Sequence, residues 1–146
     1  MTAKPAMKHQ GFSLMELMIV IAIIGLLAAI AIPNYNDYLV RSRITEAVAT
    51  LSDTRVKLEQ YFQDNRTYAG ACTAGTVAPP PVDTNNFQFT CNLTTTTYTV
   101  DATGRNSMTG FTYRINEANV RTTVAVPSGW NGAGNTCWVV NRGGGC

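Results

Sequence analysis

GFSLMELMIVIAIIGLLAAIAIP, residues Gly11 to Pro33, decides how this chain is built. A short basic head with Lys4 and Lys8 ends at Gly11, and a 21-residue apolar segment, Phe12 to Ile32, follows at once. A helix that crosses lipid needs about 20 apolar residues, so the segment is long enough. Glu16 lies near its start. A carboxylate costs about 2.5–3.5 kcal/mol at the bilayer centre and less toward the surface, so it needs a reason to be there. In the first turns of a helix the positive end of the dipole favours a negative charge.

Two plainer readings compete. An ordinary secretory signal also has a basic head and an apolar core, and Ala29-Ile30-Ala31 matches an A-x-A cleavage site. Such cores run to about 7–15 residues and have no use for a glutamate. A plain membrane anchor accommodates Glu16 by snorkelling to the headgroups. It leaves the sharp Gly11-Phe12-Ser13-Leu14 junction without a purpose. Orientation is weakly signalled, because Lys4 and Lys8 precede the segment while Arg41 and Arg43 follow it.

The rest of the chain is one modest domain. Pro33 to Cys146 is 114 residues, enough for a single core. Once Lys4 and Lys8 are set aside with the head, nine Lys and Arg face nine Asp and Glu. A balanced chain of this kind argues against an electrostatic nucleic-acid binder, and near-zero charge favours self-association. The only histidine, His9, is in the head, so the remainder has no imidazole for acid–base or metal chemistry. Four cysteines, Cys72, Cys91, Cys137 and Cys146, form no C-x-x-C pair. In an exported chain they read as two disulfides, with three connectivities open.

The helix is expected to continue past Pro33, which kinks rather than ends it. Val40, Ile44, Val48, Leu51, Leu58 and Phe62 form one apolar stripe. Arg41, Arg43, Glu46, Asp53, Lys57 and Glu59 fall largely off it. Phe12 to Gln63 would then span roughly 78 Å, with Asn65 and Gly70 marking the end. Gly70 to Asn86 reads as a loop with an extended Pro79-Pro80-Pro81. Beyond it the period falls to two, at Phe87-Phe89-Cys91, Tyr98-Val100-Ala102 and Phe111-Tyr113-Ile115, followed by the Thr/Val-rich Arg121 to Val126. Turns are expected at Thr103-Gly104 and Asn116 to Asn119, and a short fifth strand at Cys137 to Asn141. The fold class is α+β, an antiparallel meander laid on the helix stripe.

No catalytic set assembles. Gly132-Ala133-Gly134 is too short for a dinucleotide fingerprint, no P-loop occurs, and no cofactor or metal is implied. The acids are scattered and the serines lack a base, so the chain reads as no enzyme. Arg105, Arg114, Arg121 and Arg142 interleave with Phe111, Tyr113, Trp130 and Trp138, the ingredients of a DNA-contacting stripe. Strand alternation alone already places the aromatics in the core and the arginines in water, and this is the simpler account. Asn65-Arg66-Thr67 and Asn92-Leu93-Thr94 match glycosylation acceptors by chance.

Gly11, Phe12, Ser13, Leu14, Glu16 and Pro33, with the apolar run between them, resemble the class III signal of type IV prepilins. Thr50-Leu51-Ser52-Asp53, Tyr61-Phe62, Tyr98-Thr99-Val100, Gly110-Phe111-Thr112-Tyr113 and Asn135-Thr136-Cys137-Trp138 resemble the PilE-like type IVa pilins. Ala71 to Thr84 resembles nothing in that group. The resemblance implies a leader, residues 1–11, removed between Gly11 and Phe12 by a prepilin peptidase that also methylates Phe12. It implies an assembly helix over 12–32 and a pilin domain over 33–146 with a disulfide-closed C-terminal loop. It gives Glu16 the role of pairing with the terminal amine of a neighbouring subunit, and each charge then relieves the other's desolvation. It favours Cys72–Cys91 and Cys137–Cys146, which is also the most local pairing. Its partners are other pilin subunits and an assembly machinery with a separate ATPase. Its locations are the inner membrane, N-terminus cytoplasmic, and then the extracellular pilus, serving motility, adhesion or DNA uptake. A type II secretion pseudopilin is disfavoured by the four cysteines and the strand motifs. A low-copy tip subunit that acts as a binding module differs from a fibre-wall subunit only in copy number.

Overall fold

The computed structural model describes residues 12–146; the leader, with Gly11, lies outside them. The chain divides into Met1–Asn36 and Asp37–Cys146. In the first unit every described residue from Phe12 to Ile32 except Ala28 is exposed. The second holds the core.

Helix α1 covers Leu14–Asn65 and is assigned without a break through Pro33. Ser13 starts it: Glu16 N–H donates to Ser13 Oγ at 3.2 Å, satisfying one of the orphan donors of the first turn. Arg66, in the left-handed region at φ 57°, ends it, and its N–H closes on Phe62 O at 2.7 Å. Ile44, Leu51 and Leu58 of the expected stripe are wholly buried, and Val40, Val48 and Phe62 pack partly against the core. Ala47 and Thr54 complete the buried face, the latter with its hydroxyl returned to Thr50 O at 2.8 Å. Thr54 fills the seven-residue gap between Leu51 and Leu58 without adding to the apolar count.

Four antiparallel strands follow in sequence order: β1 Phe87–Leu93, β2 Tyr98–Gly104, β3 Thr112–Asn116 and β4 Arg121–Ala125. Phe87, Phe89, Tyr98, Val100, Ala102, Tyr113 and Ile115 are buried, as the period of two requires. Two sequence expectations are corrected. Thr103-Gly104 is not a turn but the end of β2, and a 3-10 turn at Asn106–Met108 makes the connection, with Asn106 at φ 51° and Met108 buried. A Cβ at Gly104 would run into the Met108 carbonyl, which explains the glycine. Cys137 to Asn141 is not a strand. Its backbone is held by side chains: Thr123 Oγ1 donates to Cys137 O at 2.6 Å and accepts Val139 N–H at 2.9 Å, and Tyr113 Oη donates to Val139 O at 2.8 Å.

Both sheet edges are obstructed. On β1, Phe89 N–H donates to Asp83 Oδ1 at 2.9 Å and Phe87 O accepts Thr84 N–H at 2.9 Å. On β4, Thr123 exchanges both backbone groups with Gly134 and Asn135, at 2.7 and 3.0 Å.

Candidate functional site

The start of α1 gathers the residues that the sequence singles out. Phe12 is 84% exposed, and Leu14, Met15, Leu17 and Met18 follow it in the open. Among the described residues the Glu16 side chain has no hydrogen-bond partner. Ser13-Leu14-Met15-Glu16 is an S-x-x-E capping signature that the sequence reading overlooked. Its first half forms, from Glu16 N–H to Ser13 Oγ. The carboxylate lies at the positive end of the helix dipole, which favours its charge. The helix is long and apolar enough to cross a membrane, with mean hydropathy 2.8 over its most apolar window. Near Pro33 the Asn34 side chain donates to Ile30 O at 3.0 Å.

In Asp37–Cys146 several polar residues of α1 are anchors, while Asp53 and Lys57 pair only with each other on the surface. Arg43 donates to Ser107 Oγ at 2.9 Å, and Glu46 accepts from Asn86 Nδ2 at 2.8 Å. Glu59 accepts both Tyr68 Oη, at 3.1 Å, and Tyr98 Oη, at 3.2 Å. Burial first, and then the Glu59 carboxylate, pushes the Tyr68 phenol up to about 12. The same causes push Tyr98 up further, and burial alone raises Tyr113.

The four arginines of the strand half do not form a free cationic stripe. Arg114 makes a bidentate pair with Asp101, at 2.6 and 2.8 Å, and these hydrogen bonds raise its pKa. Arg105 lies 3.6 Å from Asp83 and donates to Thr84 O. Arg142 donates to Asp37 Oδ1 at 2.9 Å. Arg121 lies over the Trp138 ring, 5.1 Å from its centroid. Phe111 and Tyr113 are buried on the alternation that runs into β3, and Trp138 is buried outside any strand, so all three serve the core and not a stripe. The disulfides join Cys72 to Cys91 and Cys137 to Cys146, with Cα separations of 6.5 and 6.0 Å.

The family described as "Type IV minor pilin ComP, DNA uptake sequence receptor" matches residues 33–112, more than half of the chain. The prokaryotic N-terminal methylation motif matches residues 6–32. The type IV major pilin protein PilE1 of Neisseria gonorrhoeae is 40% identical over 75 residues, 51% of this chain and 46% of that protein. The type IV major fimbrial protein FimA of Dichelobacter nodosus (strain VCS1703A) is 46% identical over 66 residues, 45% of this chain and 38% of that protein. The matched part thus spans less than half the length of these relatives. With its methylation motif, a long helix whose part from Asp37 onward packs with a four-stranded antiparallel meander, and a matching family over residues 33–112, the chain belongs to the type IV pilins.

Proposed function

We propose that this chain is a structural subunit of a type IV pilus. One observation carries the reading. The helix that supplies the core of the folded unit also bears an apolar segment, Phe12 to Ile32, that is exposed but for Ala28. So large an apolar surface needs lipid or copies of itself. On this reading residues 1–11 are a leader cut at Gly11, Phe12 is methylated, and 12–32 holds the subunit in the inner membrane with its N-terminus in the cytoplasm. Residues 33–146 form the pilin domain. A prepilin peptidase and a machinery with its own ATPase act on the subunit. Transfer of the helix from lipid into a bundle gains little from the hydrophobic effect, because lipid is already apolar. Packing and a Glu16–amine contact then set direction and register.

Mass spectrometry of sheared surface filaments tests this. The expected N-terminal peptide begins with methylated Phe12. A chain that begins at Ile32, or that is recovered from membranes but never from filaments, rejects it.

A second reading, a low-copy DNA receptor, is supported by the printed description of the family that matches residues 33–112. The carboxylate partners of Arg105, Arg114 and Arg142 weigh against those three as its contacts. Deletion separates the readings. Loss of DNA uptake with filaments retained favours the receptor, and loss of filaments favours the fibre wall.

A further inference from the structure

We propose that the open face of the sheet carries a binding cleft for a neutral saccharide, built on the cross-strand row Asn92–Thr99–Asn116 with Glu117 at its end. The register places Asn92 opposite Thr99 and Thr99 opposite Asn116. Adjacent strands lie about 4.8 Å apart, so the row presents its groups across about 10 Å, the length of two linked pyranose rings. A cleft of about 400 Å³ adjoins it at the β1–β2 turn end of the sheet, lined by the row, by Glu117 and by Leu93 to Thr94 and Thr97 to Tyr98. That volume is within the range of small-molecule sites.

The polar groups of the cleft are only partly used. The side chains of Asn92 and Thr99 make no hydrogen bond among the described residues. Asn116 accepts Val120 N–H at Oδ1, 2.8 Å, which leaves its Nδ2 free. Glu117 accepts Tyr98 N–H at Oε2, 3.3 Å, which leaves Oε1 free. Beneath them, Tyr98 is fixed through both its N–H and its hydroxyl, and Leu93 packs on the core. Amide donors, hydroxyls and one carboxylate oxygen are thus held on rigid strands with unused capacity.

The charge selects the ligand class. Among the described residues the cleft is lined by one carboxylate and no cation, and the nearby Arg114 is held by Asp101. A phosphate backbone meets repulsion here, and a single carboxylate does not make a cation site. Sugar hydroxyls both donate and accept, which suits the mixture. The site uses other residues than the filament reading, so either can fail alone.

The mature full-length chain in detergent micelles is applied to an array of neutral, sialylated and sulfated oligosaccharides, with duplex DNA as competitor. Neutral glycans are retained, and DNA does not displace them. The double variant Asn92→Ala, Asn116→Ala weakens retention at least about tenfold, as loss of two or more hydrogen bonds requires. Gln88→Ala, on the same face outside the cleft, leaves it unchanged. Non-reducing peptide maps confirm that each variant is folded with both disulfides. Failure to retain any neutral glycan, full retention by the double variant, equal loss in Gln88→Ala, or displacement by DNA overturns the proposal.

Discussion

Arg142 and Asp37, 105 residues apart, meet at 2.9 Å and fasten the C-terminal loop to α1. The guanidinium also lies 5.9 Å from the Trp130 centroid. Both side chains are substantially exposed, 56% and 32%, so solvent screens the pair. Asp37→Asn and Arg142→Gln are each expected to cost less than about 1 kcal/mol, with a smaller effect at high salt. Urea unfolding at two ionic strengths measures this.

Thr123 matters more than the ion pair. It is fully buried, and its hydroxyl satisfies both Cys137 O and Val139 N–H. Thr123→Val keeps the shape and leaves two backbone groups unpaired, at an expected cost of about 2–4 kcal/mol. Thr123→Ser recovers most of it. Equal stability of the valine variant and the parent in urea would remove Thr123 from this role.

The Glu59 cluster makes the fold sensitive to alkali. Tyr68, Tyr98 and Tyr113 all have phenols raised above the ordinary value of 10.0. The folded state therefore holds protons that the unfolded state gives up. Their contribution is complete below pH 10.0 and is lost as pH rises through about 12 for Tyr68, and higher for the other two. Glu59→Gln removes one cause of the rise at Tyr68 and Tyr98 and leaves burial, so both should ionise earlier. Tyr113, which burial alone raises, should not move. Spectrophotometric titration of the phenolates reads this directly.

On the proposed filament reading, Ser13 and Glu16 are expected to separate by function. Ser13→Ala removes a helix cap and should cost about 1 kcal/mol of helix stability with little effect on assembly. Glu16→Gln keeps shape and hydrogen bonding but cannot neutralise a buried ammonium, so incorporation into filaments should fall while processing and insertion persist. The number of variant subunits in sheared filaments, counted against wild type, is the readout. Normal incorporation of Glu16→Gln would leave that carboxylate without an assembly role.

Cys137 and Cys146 close a short loop, with nine residues of sequence separation. The chain-entropy estimate for a loop of about this size is roughly 2–3 kcal/mol. Replacement of both by serine should lower the unfolding midpoint and expose Trp138 to quenchers. An unchanged midpoint would mean that Thr123 and Tyr113 hold the loop unaided.

The periodic parts of the chain were legible in the sequence. The stripe from Val40 to Phe62 and the alternation from Phe87 to Ile115 follow from burying one face, and geometry then fixes the spacing. Ala47 and Thr54 escaped the stripe because a small or hydroxylated side chain can be buried without raising hydropathy. The tail misled for a related reason. Cys137 to Asn141 has the composition of a strand, but Thr123 and Tyr113, distant in sequence, take the backbone bonds that a neighbouring strand would need. Glu59 reads as a solvated charge off the stripe, since its tyrosine partners are brought to it only by the fold. Asn92, Thr99 and Asn116 became a row only through register.

Asp83 and Thr84 on one edge, and Gly134 and Asn135 on the other, occupy backbone groups that a foreign strand would use. A protein gathered at high density runs the risk of cross-β growth, in which sheets from many copies join edge to edge. Here part of each edge is occupied in this way, while the apolar helix start is left open. On the proposed filament reading, self-association then runs through the apolar helix start and not through the sheet edges.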